Sequence, residues 1–144
     1  HGGHHHRRVF YRWLDPSPGG QAVKLKLIDT GKATRYRPGL MQVVVANRLK
    51  WKHITQEQVD TAAGFVALQD RAYLGRWILV EWPDGTMTGP YLVVDCGREA
   101  DQAYLDKIEF AVDLSYELAE QHLENINMPL WGVKVWLIEE GAPW

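Results

Sequence analysis

The apolar residues of this chain fall in short runs, and most of these runs end at glycine, proline or aspartate. Residues 22–28 alternate aliphatic side chains with lysines, which predicts a half-exposed strand. Residues 77–82 and 86–94 flank the turn signal Pro83-Asp84-Gly85, and this pattern predicts a β-hairpin. Several short strands separated by turns indicate a barrel more readily than a doubly wound sheet. We therefore predict a mostly-β fold with six or seven strands and one or two short helices.

Three further segments complete the predicted strands. Residues 32–37 are short and extended, and Pro38-Gly39 turns the chain after them. The β-branched run at residues 41–46 predicts a strand buried on both faces. Residues 131–138 predict a final strand, with Val133, Val135 and Leu137 on one face and Lys134, Trp136 and Ile138 on the other.

Two helices are predicted from residues that can cap their N-termini. Thr55 and Gln58 have the spacing of a capping box, which predicts a short helix to about Ala63. Ser115 can cap a helix that runs to about Asn125. The buried face of this second helix is predicted from spacings of three and four: Leu118, Ala119, His122, Leu123 and Ile126.

The length of 144 residues predicts one domain at residues 21–140, with an N-terminal arm before it and a tail at 141–144. Residues 9–14 form a short strand or arm, and the prolines and glycines of residues 15–20 separate it from the domain. The histidine-rich residues 1–6 are typical of a tag or an unstructured end, although clustered imidazoles can also bind copper, nickel or zinc.

Composition excludes several classes of function. The net charge of −2 gives no reason to expect a nucleic acid partner, and no apolar run reaches the length of a membrane span. Cys96 is the single cysteine, so no intrachain disulfide can form. Cysteine usage therefore does not indicate the cellular compartment. The seven tryptophans indicate core or partner contacts, or a sugar-stacking platform if several share one exposed face.

Short motifs in a fixed order carry a resemblance to a known superfamily. They are GKATRY at residues 31–36, VAN at 45–47, AAG at 62–64 with LGRWILV at 74–80, VVDCG at 93–97 and AVDLS at 111–115. Together they resemble the double-psi β-barrels of rare lipoprotein A and the expansins, and the V-x-D-x-G element is also similar to that of the three-aspartate domains.

The resemblance implies a six-stranded double-psi β-barrel with a groove that holds a glycan strand. It places Asp95 and Asp113 on the floor of this groove as candidate catalytic residues, with Thr34, Tyr36 and Asn47 as further ligand-binding residues. It implies no metal and no cofactor, a polysaccharide or peptidoglycan partner, and an extracellular or cell-envelope location.

The two aspartates suit sugar chemistry, because glycoside cleavage uses a protonated carboxylic acid and usually a second carboxylate. The apolar neighbours of Asp95 can desolvate it and raise its pKa. Each aspartate also has a structural alternative. Asp113 can satisfy backbone N–H groups at the following helix, and Asp95 can belong to a turn that ends at Gly97.

Departures from the family pattern favour binding without cleavage. Lytic members of the family have an acidic residue where this chain has Arg48-Leu49, and a histidine where it has Gly64. The segment at residues 98–112 is longer than in the family, and it indicates a lid, a docking loop or a solvated helical turn.

Three functions follow from these observations. The first is a non-catalytic glycan-binding barrel that acts on cell-wall or envelope polysaccharide. The second is a peptidoglycan lytic transglycosylase or a glycosidase that uses Asp95 or Asp113. The third is a structural module of a surface or phage-tail assembly, docked onto neighbouring proteins through its N-terminal arm.

Overall fold

A computed structural model describes residues 8–15, 22–97 and 110–140 of the chain. The strands are β1 (Tyr11–Leu14), β2 (Val23–Arg35), β3 (Gly64–Leu68), β4 (Trp77–Glu81), β5 (Met87–Cys96), β6 (Phe110–Leu114) and β7 (Leu130–Glu140). The helices are α1 (Leu40–Lys50), α2 (Gln56–Thr61) and α3 (Tyr116–His122), with a 3₁₀ turn at Arg71–Tyr73. The predictions for the histidine-rich start, for most of the proline-glycine breaker, for the segment at 98–109 and for the tail at 141–144 lie outside the described residues.

The described strands form one mixed sheet in the order β1-β2-β6-β3-β5-β4-β7, and β7 pairs with β2 as well. Each strand from β2 to β7 therefore has at least two hydrogen-bonded neighbours, and the pairings return to their starting strand. The prediction of a mostly-β chain is confirmed. Within the described residues there are seven strands and three short helices.

The long strand β2 joins two segments that the sequence predicted separately, residues 22–28 and 32–37. Its first residues pair with β1, and its last residues pair in parallel with β6. Along most of its length it also pairs with β7, with three shifts of register. The predicted N-terminal arm is strand β1, which pairs with β2 alone and leaves Phe10 and Trp13 more than half exposed. A docking role for this arm stays a prediction.

The prediction of a strand at residues 41–46 is wrong, because this segment lies inside helix α1. Met41 and Val45 are one helical turn apart and both are buried against Leu92 and Val94 of β5. The β-branched residues favour a strand by propensity, but this packing at helical spacing outweighs a preference of well under 1 kcal/mol per residue.

The other predicted elements near the site are confirmed. Thr55 and Gln58 form the capping box of α2, with hydrogen bonds of 3.0 and 3.1 Å. Ser115 accepts the N–H of Leu118 at 3.3 Å and so caps α3, which ends at His122 and is shorter than predicted. Strands β4 and β5 form the predicted hairpin.

The core has three apolar clusters that follow the faces of the strands. The central cluster includes Val133, Val135 and Leu137, as predicted for one face of the last strand. The other face of that strand is also covered, because Trp136 and Ile138 are buried in a second cluster. The third cluster joins α1 to β5.

The described tryptophans divide between core and surface. Trp82 and Trp136 are buried and Trp77 is partly buried, whereas Trp13, Trp51 and Trp131 are 61%, 55% and 51% exposed. The exposed three lie on β1, directly after α1 and on β7. None of the described helices is long and apolar enough to cross a membrane.

Gly64 gives a test of the packing between β3 and α3. A Cβ atom at this position would lie 2.6–2.8 Å from three carbon atoms of Leu118, which is buried. We expect Gly64→Ala to lower the free energy of unfolding by about 1–3 kcal/mol through overpacking. Urea denaturation measures this change.

The matched control is the same substitution in a Leu118→Ala background. Once the leucine is shortened, the added methyl group should cost little, and the coupling energy between the two sites should be of the same order as the single effect. An equal cost of Gly64→Ala in both backgrounds would contradict this account.

Candidate functional site

Four residues from distant parts of the chain form a row across four neighbouring strands. Asp95 on β5 and Asp113 on β6 are both in register with Ala67 on β3, and Asp113 is in register with Thr34 on β2. With about 4.8 Å between strands, the Cα atoms of the two aspartates are about 10 Å apart. The small side chain of Ala67 is the one between them.

This row faces away from the central core. Val66 and Leu68 belong to the central cluster, and so do Val112 and Leu114. Because successive side chains of a strand point to opposite faces, Ala67 and Asp113 lie on the other face. On β5, Val93 belongs to the central cluster, and a shift of register between Val93 and Asp95 brings Asp95 to the face of its partner Ala67. Both aspartates therefore lie on the outer side of the sheet.

Asp113 accepts a hydrogen bond from the Thr34 hydroxyl at 3.1 Å. The pKa of Asp113 is raised to about 7: burial is the largest cause, the hydrogen bond from Thr34 opposes it, the negative charge of Asp95 adds to it, and the charge of Arg35 lowers it. Its carboxyl group is therefore close to half protonated at neutral pH. The alternative that Asp113 caps the next helix is not observed, since Ser115 does so.

Asp95 is held by three donors. Its Oδ1 atom accepts from Nη2 of Arg48 at 3.0 Å and from the backbone N–H of Cys96 at 3.0 Å. Its Oδ2 atom accepts from the Tyr36 hydroxyl at 2.6 Å. Asp95 lies inside β5, so the alternative of a turn residue is also not observed.

Arg48 is the residue of this site that sequence reasoning missed. In the sequence Arg48 is a departure from an acidic family position, and in the structure it lies on α1 and forms a partly buried ion pair with Asp95. Its Nε atom donates to the carbonyl of Val94 at 2.9 Å, and its Nη1 atom is 2.9 Å from Nδ1 of His53. The helical spacing of Met41 and Val45 was the signal that could have placed it on a helix.

Tyr36 remains a hydrogen-bond donor over the whole physiological range. Burial raises the pKa of its hydroxyl well above the usual value, and the hydrogen bond to Asp95 and the nearby carboxylate charges raise it further. The hydroxyl therefore stays protonated and donates to Asp95.

The structure brings together four of the five predicted site residues: Thr34, Tyr36, Asp95 and Asp113. Asn47 lies on α1 one position before Arg48, and among the described residues no hydrogen bond joins its side chain to either aspartate. Its role in binding stays a prediction.

Two cavities are found among the described residues, and neither is lined by a residue of this row. One of ≈ 470 Å³ is lined by α1, α3 and the start of β3, and one of ≈ 750 Å³ is lined by α3 and the segment that leads to β7. Among the described residues, no group of three or more His, Cys, Asp or Glu side chains is arranged to hold a metal ion.

The outer row can exchange hydrogen bonds with a polyhydroxyl ligand. Thr34 and Tyr36 have hydroxyl groups, Asp113 can donate or accept near neutral pH, and the Asp95 carboxylate is already occupied by its three donors. The site therefore contains one titrating carboxyl group and one ion-paired carboxylate.

The raised pKa of Asp113 predicts how stability depends on pH. A carboxyl group whose pKa is higher in the folded state adds stability below its unfolded pKa of 3.8, and this stability is lost as pH rises through about 7. We expect Asp113→Asn to remove this loss and to gain on the order of 2–4 kcal/mol relative to wild type between pH 4 and pH 8. Urea titrations at several pH values measure the difference.

Asp84→Asn is the matched control, because Asp84 is exposed and its pKa is lowered by hydrogen bonds from Thr86. The contribution of Asp84 to the free energy of unfolding changes only below pH 4. The difference in this free energy between Asp84→Asn and wild type should therefore stay constant from pH 4 to pH 8. A flat difference for Asp113→Asn as well would show that this carboxyl group does not titrate as described.

Comparisons of the chain with protein-family models, with curated proteins and with solved structures found no match. A relation to the double-psi barrels is therefore a proposal, supported by the short motifs and by the pairing of the strands.

Proposed function

We propose that the chain is a double-psi β-barrel that binds a polysaccharide of the cell wall or envelope without cleaving it. Two features of the fold support the barrel. The strand pairings from β2 to β7 return to their start, and they combine the parallel pairs β2–β6 and β3–β5 with antiparallel neighbours. Such a cycle has no free edge among these strands.

The observation that carries the proposal is the row of Thr34, Ala67, Asp113 and Asp95 on the outer face. Thr34, Asp95 and Asp113 come from three motifs that resemble the family, and the strand register places them side by side. The hydroxyl of Tyr36 joins them through Asp95. Hydroxyl and carboxyl groups in a line can exchange hydrogen bonds with successive hydroxyls of a sugar chain.

The state of Asp95 supports binding without cleavage. Most glycosidases need a second carboxylate that is free to activate water or to attack the sugar. Both oxygens of Asp95 are already engaged, one of them by Arg48. We therefore assign Asp95 an ordering role for Tyr36 and the ligand, and we place the protein outside the cell or in its envelope as part of the same proposal.

Retention on insoluble polysaccharide tests this function. We expect the folded chain to sediment with peptidoglycan or with cellulose, and we expect Asp113→Ala to weaken binding by about 5–30-fold through the loss of one or two hydrogen bonds. Binding isotherms from co-sedimentation measure the change, and near-ultraviolet circular dichroism verifies the fold of each variant.

Asp84→Ala is the control for this test, because Asp84 lies in the hairpin turn before β5 and Asp95 lies near the end of that strand. It should bind as wild type does. If folded wild type is retained on neither material, the proposed function is wrong. If Asp113→Ala binds like wild type, the row is not the ligand site.

A second candidate function is lytic cleavage of peptidoglycan, and the pKa of Asp113 near 7 favours it. A lytic transglycosylase needs one acid/base group, since a hydroxyl of the sugar itself attacks. Asp113 would donate its proton to the leaving oxygen and then accept one from the attacking hydroxyl.

Cleavage is tested by the release of soluble fragments from insoluble peptidoglycan. If Asp113 is the acid, release should fall as pH rises above about 7, because the protonated fraction falls, and Asp113→Asn should lower the rate at least about 100-fold. No release by wild type, together with retention on the same material, would favour binding alone. Equal release by Asp113→Asn would exclude this assignment.

A further inference from the structure

The turn after helix α1 places an exposed aromatic ring beside the aspartate row. Trp51 is 55% exposed, and its ring centroid lies 6.0 Å from the guanidinium carbon of Arg48. The same guanidinium binds Asp95 at 3.0 Å. One side chain therefore separates an exposed tryptophan from the polar site.

Hydrogen bonds fix the geometry of this turn. The N–H of His53 donates to the carbonyl of Arg48 at 2.9 Å, and the N–H of Lys52 donates to that of Leu49 at 3.1 Å. These two bonds define a Schellman motif at the end of α1. His53 is thereby held against Nη1 of Arg48, with its ring 5.8 Å from that of Trp51.

Lys52 occupies the position of this motif that glycine usually takes. Its φ angle is 60°, the one positive value among the described residues other than glycine. A side chain in this conformation costs about 1 kcal/mol relative to glycine. The chain thus keeps a charged side chain, exposed to solvent, at a strained position beside Trp51.

The segment of sequence that ends in this turn is basic. Residues 32–53 contain no acidic residue and six basic ones: Lys32, Arg35, Arg37, Arg48, Lys50 and Lys52. Asp95 is neutralised by its ion pair, and Asp113 is partly neutralised by its proton near pH 7. Lys50 and Lys52 lie on the two sides of Trp51 in the chain, and both are exposed.

We propose that Trp51 and the exposed Lys50 and Lys52 on its two sides form a subsite for a carboxylate-bearing sugar residue, so that the glycan bound by this protein is acidic. The indole ring would stack on the apolar face of the sugar, and the basic side chains would attract its carboxylate. This inference rests on the proposed glycan-binding function and names the chemical class of the ligand.

The test compares two soluble polymers with the same β-1,4-linked backbone. Carboxymethyl cellulose bears carboxylates and hydroxyethyl cellulose of equal length does not. We expect wild type to bind the carboxylated polymer about tenfold more tightly at low ionic strength, and we expect this preference to shrink in 0.5 M salt because of screening. Isothermal titration calorimetry measures both affinities.

Two variants separate the contribution of ring stacking to binding from the contribution of charge. Trp51→Ala should weaken binding of both polymers by about 3–10-fold. Lys52→Gly should weaken binding of the carboxylated polymer alone while raising the thermal unfolding temperature, because glycine relieves the strain at this position. A loss of binding by a more stable protein cannot come from misfolding.

Trp13→Ala is the matched control, since Trp13 is equally exposed but lies opposite Lys24, about 30 Å along β2 from Thr34. It should bind as wild type does. Equal affinity for both polymers, or carboxylate binding that Trp51→Ala leaves unchanged, would overturn the subsite and leave the glycan-binding function in place. Failure to bind either polymer, peptidoglycan or cellulose would refute both proposals.

Discussion

The pairing of β3 with both β5 and β6 is the constraint on which the site depends. β3 is parallel to β5 and antiparallel to β6, and Ala67 is in register with an aspartate on each side. Parallel strands need a long crossover between them, so residues distant in sequence become lateral neighbours. A shift of one residue in either pairing would turn that aspartate toward the core, where a carboxylate has no partner. The central cluster around Val66 and Leu68 opposes such a shift.

Different surroundings give the two aspartates different chemistry. Asp95 has a guanidinium, a phenol and a backbone N–H as hydrogen-bond partners, and both of its oxygens are engaged. Asp113 has one hydroxyl partner and is mostly buried, so its pKa rises to about 7. Asp113 therefore changes its charge near neutral pH, and a ligand that approaches the row meets one titrating group and one ion pair.

Sequence reasoning found the parts of the site that local patterns encode. The predicted strand at residues 86–94 ends one residue before Asp95, and the capping residues Thr55 and Ser115 have the spacing of helix starts. Strands β3 and β6, which carry Ala67 and Asp113, were not predicted. Sequence reasoning failed at residues 41–46, where valines favour a strand and the burial of Met41 and Val45 favours a helix. Because of that error the role of Arg48 was not predicted. On a helix, Arg48 lies three residues after the buried Val45, and from there its side chain reaches Asp95; on a strand it would point elsewhere. The register that aligns the two aspartates depends on tertiary packing, so no local pattern predicts it.

Arg48 and Gly64, which depart from the pattern of the family that the motifs resemble, both fit the packing and the charges of the site. An acidic residue at position 48 would set a third carboxylate against Asp95 and Asp113, and all three would repel one another. Arginine instead neutralises Asp95 and also contacts His53 and Trp51, so the same guanidinium orders the polar row and the aromatic turn beside it. At Gly64, the side chain of Leu118 fills the space that a histidine would need. In the proposed barrel, a base therefore stands at the acidic position and Leu118 closes the histidine position, so that among the described residues of the row Asp113 is the one carboxyl group without an ion pair.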